Sequence, residues 1–210
     1  TLQVKDEPAD IVFAQNRAFV SIARSNKIAV FDAVTRARLA TLPLQGGQPR
    51  ALTTSPDGEK VYVAFAFSGN GTTLVNSRLA PAQPAPIDPN LPAPPKVGLI
   101  VKADDPIWSQ LVGVTMPDHD VAVINVGPTP IVSGYYSGVG TINLGIATNP
   151  ANGDVFVANT EARNTVRFEP RLRGHFIDNR ITSIQVASGE VTPFDLNPSI
   201  RYDILPNPAV

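Results

Sequence analysis

The chain contains no cysteine. That excludes disulfides, zinc–thiolate sites, iron–sulfur ligation and covalent haem attachment through Cys-x-x-Cys-His. It leaves the compartment open, since cytosolic and exported proteins both do without cysteine. Only two histidines and one tryptophan occur in the 210 residues. A Ser-His-Asp arrangement thus has two imidazoles to draw on, and no Gly-x-Ser-x-Gly elbow, Walker loop, dinucleotide fingerprint or His-Glu-x-x-His motif is present. No apolar run approaches the ~20 residues that span a bilayer. Neither sign of charge dominates: 17 basic residues face 18 acidic ones, without a long like-charge block. On that balance neither nucleic acid nor an anionic membrane surface is expected as a partner. Sustained i, i+3, i+4 apolar patterns free of Pro and Gly are also missing, so long amphipathic helices have no place.

Proline, by contrast, is abundant: 21 residues, about twice the usual ~5%. Gathered in connections, it suits an all-β chain with many turns. The 43% of hydrophobic residues is enough for one sizeable core. The first residue is Thr1 rather than Met. Removal of a signal peptide and excision from something longer both account for that.

One phrase occurs twice. Residues 51–65 read Ala-Leu-Thr-Thr-Ser-Pro-Asp-Gly-Glu-Lys-Val-Tyr-Val-Ala-Phe, and residues 145–159 read Gly-Ile-Ala-Thr-Asn-Pro-Ala-Asn-Gly-Asp-Val-Phe-Val-Ala-Asn. Each is a short apolar segment, a Pro/Asp/Asn/Gly turn and an alternating β-branched and aromatic segment, which is a β-hairpin. Gly58 and Gly153 supply the positive φ of such turns. A hairpin written twice predicts copies of one unit.

The first unit, about residues 10–45, reads as four short strands: Ile11–Ala14, Ala18–Ala23, Lys27–Phe31 and Arg38–Leu42. Pro43–Pro49 crosses to the second unit, about 48–138. There Ala51–Thr54 and Lys60–Phe67 are followed by an insertion over about 68–118. Seven prolines between residues 80 and 95 suit extended backbone and not a sheet interior. Gly98–Val101 adds a strand to the insertion. Val121–Asn125 and Ile131–Tyr136 complete the unit. The third, about 140–197, has Leu144–Thr148, Asp154–Asn159, then either Thr165–Phe168 or Ile181–Val186, then Val191–Leu196. Residues 198–210 read as a connection.

These residues carry a resemblance. Ser55-Pro56-Asp57-Gly58 with Val61-Tyr62-Val63-Ala64 resembles the repeat of YVTN-type bacterial β-propellers, and Phe156-Val157-Ala158-Asn159 resembles its name-giving Tyr-Val-Thr-Asn stretch. Lys27–Asp32 and Val121–Asn125 are similar to the family's third strand. The resemblance covers about 140 residues and is specific for fold, not for activity. It implies an all-β chain of four-stranded antiparallel blades. About three are visible, with a Pro-rich insertion in the second: one partial propeller domain over 1–210. Three blades do not close a ring of the usual 4–8, so the remaining blades are expected from further sequence or another chain. Larger members of the group occur beside, or fused to, c-type cytochrome modules of the di-haem peroxidase type. By resemblance, then, haem belongs only to a missing or partner segment.

Three places could carry chemistry. Asp118-His119-Asp120, with Asp104 and Asp105, could hold calcium or another divalent metal; the same residues suit a turn whose carboxylates cap backbone N–H groups. His175 with Arg163, Arg167, Arg171, Arg173 and Arg180 could form a basic patch for an acidic partner, or a solvated loop paired to Glu161, Glu169 and Asp178. Trp108, among Ile107, Leu111, Val112 and Val114, reads as a plug packing the insertion onto its blade, or as an anchor at an interface. Asn70-Gly71-Thr72 matches an N-glycosylation acceptor and is read as a tight turn. Adjacent Tyr135 and Tyr136 face opposite sides of a strand.

The leading expectation is a non-catalytic binding or scaffolding module of an exported bacterial protein. It would lie in the periplasm or outside the cell, presenting loops to a redox or cell-envelope partner, with no cofactor of its own apart from calcium. Two alternatives stay open. One is a metal-dependent, lactonase-like propeller drawing on Asp57, Asn152, Asn159 or Asp118. The other is a redox subunit whose haem lies elsewhere.

Overall fold

Side chains that alternate apolar and polar, in runs of four to nine residues cut by polar turns, make strands. Strands are what this chain forms. The structure, a computed structural model, describes residues 3–82, 85, 88–93, 95–112, 118–166 and 175–204. Among these residues lie fourteen strands in four antiparallel sheets and, besides them, one 3-10 turn at Ala23–Ser25. No helix among them is long and apolar enough to cross a membrane.

Sheet I is a meander of β1 (Pro8–Ala14), β2 (Arg17–Ile22), β3 (Lys27–Asp32) and β4 (Arg38–Pro43). Gln15 and Asn16 close its first hairpin with φ of 45° and 59°, the geometry of the two-residue turn that matches strand twist. Sheet II begins with β5 (Gly47–Thr54) and β6 (Lys60–Phe67). The chain then leaves to form a separate ribbon of β7 (Thr72–Val75) and β8 (Leu99–Lys102), and returns to sheet II as β9 (Val121–Asn125) and β10 (Ile131–Tyr136). Sheet III is again a meander, of β11 (Ile142–Thr148), β12 (Val155–Ala162), β13 (Ile177–Gln185) and β14 (Glu190–Asp195).

Several boundaries differ from the sequence reading. The open choice for the third strand of sheet III resolves to Ile177–Gln185, which pairs with all of β12. Thr165 and Val166 are not in a strand, and Phe168 lies outside the described residues. The crossing read as Pro43–Pro49 is shorter, because β5 already pairs at Gly47 opposite Phe67. A Cβ at Gly47 would meet the Phe67 carbonyl at 2.7 Å, so only glycine allows that approach. The β7 strand was not expected. Its Thr-Thr-Leu-Val run is a good strand former, but its partner lies beyond the proline-rich stretch.

The sheets pack face to face, and alternation along one strand decides which neighbour each residue meets. On β6, Val61, Val63 and Phe65 join Phe19, Ile28, Val30, Leu52 and Ile124 in a buried cluster between sheets I and II. Tyr62, one position over, joins Val121, Val155, Val157 and Ile184 between sheets II and III. Each such burial contributes roughly 1.5–3 kcal/mol. The first strands of the three sheets lie side by side. Asp10 on β1 accepts the Leu52 N–H at 2.8 Å, Thr53 meets Thr148 at 3.2 Å, and Asn143 donates to the Phe65 carbonyl at 3.0 Å.

Candidate functional site

Strand β6 is eight residues long, so its two ends lie roughly 23 Å apart at ~3.3 Å per residue. At one end is the Ser55–Gly58 turn. At the other, next to the Ala64–Val121 pair, lie Ser68 and Asp118–Asp120. Sheet III has the same polarity: the Asn149–Asp154 turn at one end of β12, and Arg163 with His175 at the other. Both long connections, 68–120 and 163–176, join a second strand to a third, and they meet. The Asn70 amide donates to Glu161 Oε1 at 3.2 Å, the Ala162 carbonyl at 3.4 Å and Asn164 Oδ1 at 3.0 Å. Its own oxygen accepts from Thr72, and its carbonyl accepts from Lys102 Nζ at 2.8 Å. Asn70, read from the sequence as part of a turn, is the fastening between the inserted ribbon and sheet III.

Asp118, His119 and Asp120 stand beside this joint, but extended backbone sends them to different partners. Asp118 Oδ2 accepts the Gly138 N–H at 3.1 Å, and its carbonyl accepts from Ser137. His119 stacks on Tyr135 with ring centroids 4.2 Å apart and bonds through Nδ1 to the Gln45 carbonyl at 2.5 Å. A carbonyl only accepts, so Nδ1 carries the proton. Tyr135 in turn accepts the Gln45 N–H at 2.9 Å. Asp120 is fully buried. Its Oδ2 accepts the N–H groups of Val139 at 2.5 Å and Gly140 at 3.2 Å, while Oδ1 has no hydrogen-bond partner among the described residues. Burial pushes this carboxyl up to about 7, and the Asp118 charge adds to the rise, against the hydrogen bonds that favour the anion. Among the described residues no three His, Asp or Glu side chains gather as metal ligands. The residues expected to form a metal site are capping and crossing residues. Asp105 caps its own turn, accepting the Ile107 N–H.

The expected basic patch is a closed chain of bonds where it is described. Arg163 bonds to His175 Nδ1, and His175 Nε2 to Asp178. A guanidinium can only donate, so Nδ1 holds the lone pair and Nε2–H points to Asp178. The His175 ring stacks on Tyr202 at 3.5 Å. Arg180 bonds to Glu161 at 3.2 Å and to the Val139 carbonyl at 2.7 Å. Arg167, Arg171 and Arg173 lie outside the described residues.

Trp108 sits half-buried in turns after β8 and, among the described residues, belongs to none of the buried clusters; its neighbours Ile107 and Leu111 are exposed, and Val114 lies outside the described residues. The four residues considered for a lactonase-like centre do not converge. Asp57 and Asn152 lie at the turn end, where Asp57 accepts from Ser55 and Glu59, and Asn152 bonds to Asp154. Asp118 is at the opposite end, and Asn159 is taken up by Thr182 and the Val157 carbonyl. Residues the sequence reading passed over do more. Asn26 accepts the Gln48 N–H at 2.9 Å, and so fixes the crossing from sheet I to II as Asp120 fixes that from II to III. Both directly precede a third strand, which is the one local signal they share.

No family model matches the chain, and no curated protein sequence does. Among solved structures, a protein from Desulfotomaculum acetoxidans DSM 771 described as functionally unknown aligns with 91% of this chain at 9% identity and a TM-score of 0.49. Hydrazine synthase from Kuenenia stuttgartiensis aligns with 93% of it at 15% identity and a TM-score of 0.41. The chain spans 42% and 56% of the length of those two chains.

Proposed function

We propose that this chain is three blades of a β-propeller of the YVTN kind. In this reading it serves an exported bacterial protein, in the periplasm or outside the cell, as a non-catalytic binding or scaffolding module. Three four-stranded meanders with their first strands side by side support the blade reading. The observation that carries the binding role is the Asn70 joint, which makes one surface of two long loops from different sheets. Loops held on a rigid stack are where binding residues concentrate. Ile107 and Leu111, both exposed, give that surface apolar contacts for a protein partner, of the redox or cell-envelope kind.

The test is site-directed photo-crosslinking in the bacterial envelope. A crosslinker at Leu111 should capture one defined protein, and the same group at Ser188, in the turn between β13 and β14 at the far end, should capture none. Equal capture from both ends, or none from Leu111, would refute the binding role. Stoichiometric metal in the purified protein together with lactone hydrolysis would replace it with the hydrolase reading.

A further inference from the structure

The two inter-sheet interfaces obey one rule. Aligning β2, β6 and β12 along the repeated phrase puts Phe19, Tyr62 and Phe156 at equivalent positions. Phe19 of sheet I is fully buried against Val61, Val63 and Ile124 of sheet II. Tyr62 of sheet II is 1% exposed, against Val155, Val157 and Ile184 of sheet III. Each aromatic leaves one sheet and enters a β-branched face of the next. Phe156 follows them in sequence, but among the described residues no further sheet face receives it, and it is 37% exposed.

Strand pairing defines the face around it. Phe156 lies opposite Ser183, Ala158 opposite Ile181, and Ile181 opposite Phe194. Ala147 of β11 lies opposite Phe156 on the other side. Phe194 is 52% exposed, and Ile142, Ile177 and Ile181 are exposed with it. No Lys, Arg, Asp or Glu occupies any of these positions. The same face carries Thr160, Asn179 and Thr192, with Glu190 opposite Gln185 at its turn end; a broad, largely apolar sheet face of this kind marks an interface and not ordinary surface.

The surface that such a face enters recurs once more in this chain. At the positions of Val61/Val63 and Val155/Val157, sheet I carries Ala18 and Val20, which with Ile22, Ala29 and Phe31 form its outward face. Ile11 and Phe13 of β1 are exposed on the same side, Phe13 by 64%. Lys27 and Arg38 stand at its margin, Arg38 over the Phe31 ring. Val4 lies across the centre as part of a short strap. Two backbone bonds hold the strap, Ala23 N–H to the Glu7 carbonyl and Arg24 N–H to the Asp6 carbonyl, together with an exposed ion pair between Arg50 and Glu7 at 2.7 Å. Asp6 and Glu7 both take left-handed φ, 61° and 64°, a conformation costing ~1–2 kcal/mol per residue without glycine. Such a strap is built to yield.

We propose that the outward face of sheet III docks on the outward face of sheet I of a second copy of this chain, displacing the strap. This rests on the blade reading above. Two copies related by a two-fold axis make both contacts at once and bring six sheets together, within the ~4–8 that close a ring.

The test uses the purified chain. Light scattering after size exclusion should give twice the 22.3 kDa of one chain at about 100 µM, well above the Kd of a micromolar dimer. Phe156→Asp should weaken association at least about tenfold, the loss typical of a central interface residue, with the circular dichroism spectrum unchanged. Phe194→Lys, at an exposed position, gives the same reading if Phe156→Asp fails to fold. Removing residues 1–7 should strengthen association. With no native cysteine, Phe13→Cys and Ala147→Cys chains can be mixed and oxidised, and the mixed disulfide is the expected product, because the equivalent residues of sheets II and III, Thr53 and Thr148, meet at 3.2 Å. A monomer at that concentration, a mass indifferent to both substitutions, or an Ala147→Cys chain linking only to itself would each overturn the proposal. Loop-end crosslinking from Leu111 is independent of all three results.

Discussion

The Asp120 carboxyl accepts the Val139 N–H at 2.5 Å from a fully buried position, while its other oxygen has no hydrogen-bond partner among the described residues. It ties the last strand of sheet II to the first of sheet III, and it does so as a group that burial makes reluctant to ionise. Its folded value of about 7 stands above the ordinary 3.8. The folded protein therefore keeps a proton that the unfolded chain releases. This contribution to stability is complete below pH about 4 and is lost as pH rises through 7. Asp120→Asn keeps an oxygen for the two N–H groups and cannot ionise. Thermal melts from pH 5 to 8 should show the wild type losing several degrees more than the variant. Parallel curves would mean that this carboxyl does not titrate in that range.

Equivalent aromatics should differ in their cost of removal. Phe19→Ala and Tyr62→Ala each empty a sealed interface and should lose about 3–5 kcal/mol. Phe156→Ala, at a half-open position, should lose less than about 1 kcal/mol in the monomer. Urea midpoints of the three variants, measured at dilute concentration, make the comparison. A large monomer cost at Phe156 would show that its ring is already covered.

Arg17 holds the turn after β9 by donating to the carbonyls of Val126 at 2.6 Å and Pro128 at 3.1 Å, with Gly127 between them. A planar fork reaches three carbonyls where a single ammonium does not. Arg17→Lys should therefore cost about 0.5–1.5 kcal/mol, as one buried and two more open carbonyls lose their donor. A denaturation midpoint unchanged by the lysine would show the clamp to be idle.

Asn70 joins the inserted ribbon to sheet III by side-chain bonds alone in this structure, so Asn70→Ala should free the ribbon without melting the sheets. Limited proteolysis should cut faster between residues 76 and 112, while the thermal midpoint moves by no more than a few degrees. Equal cutting in both proteins would assign the joint to other residues.

Gly58 and Gly153 have φ of 69° and 81°, and a Cβ on either would meet no atom closer than 3.8 Å. Alanine there costs backbone strain and not collision, about 1 kcal/mol at each position. Asparagine, which tolerates the left-handed region, should cost less. The order Gly, Asn, Ala in melting temperature checks the cause.

Strands were legible wherever both turn and alternation are local, as in Lys60–Phe67 and Val121–Asn125, which form as read. The third strand of sheet III was ambiguous because two apolar runs compete, and only pairing along the whole of β12 decides between them. What local reading missed is long-range. Asn70 acts on residues more than ninety positions away, and Asp10 on one 42 away, and nothing near either residue announces its partner. The acidic triplet misled for a related reason. Three polar neighbours on extended backbone point apart, so a dense cluster in sequence is dispersed in space.

In all three large sheets the pairing of the first strand with the second slips once, between Pro8 and Ile11, between Pro49 and Leu52, and between Asn143 and Gly145. A bulge steepens the local right-handed twist. Three bulges in matching places mean that each sheet is warped in the same sense at its innermost edge. One extra residue in each first strand thus gives the three sheets a common warp, and faces with the same warp can nest on one another.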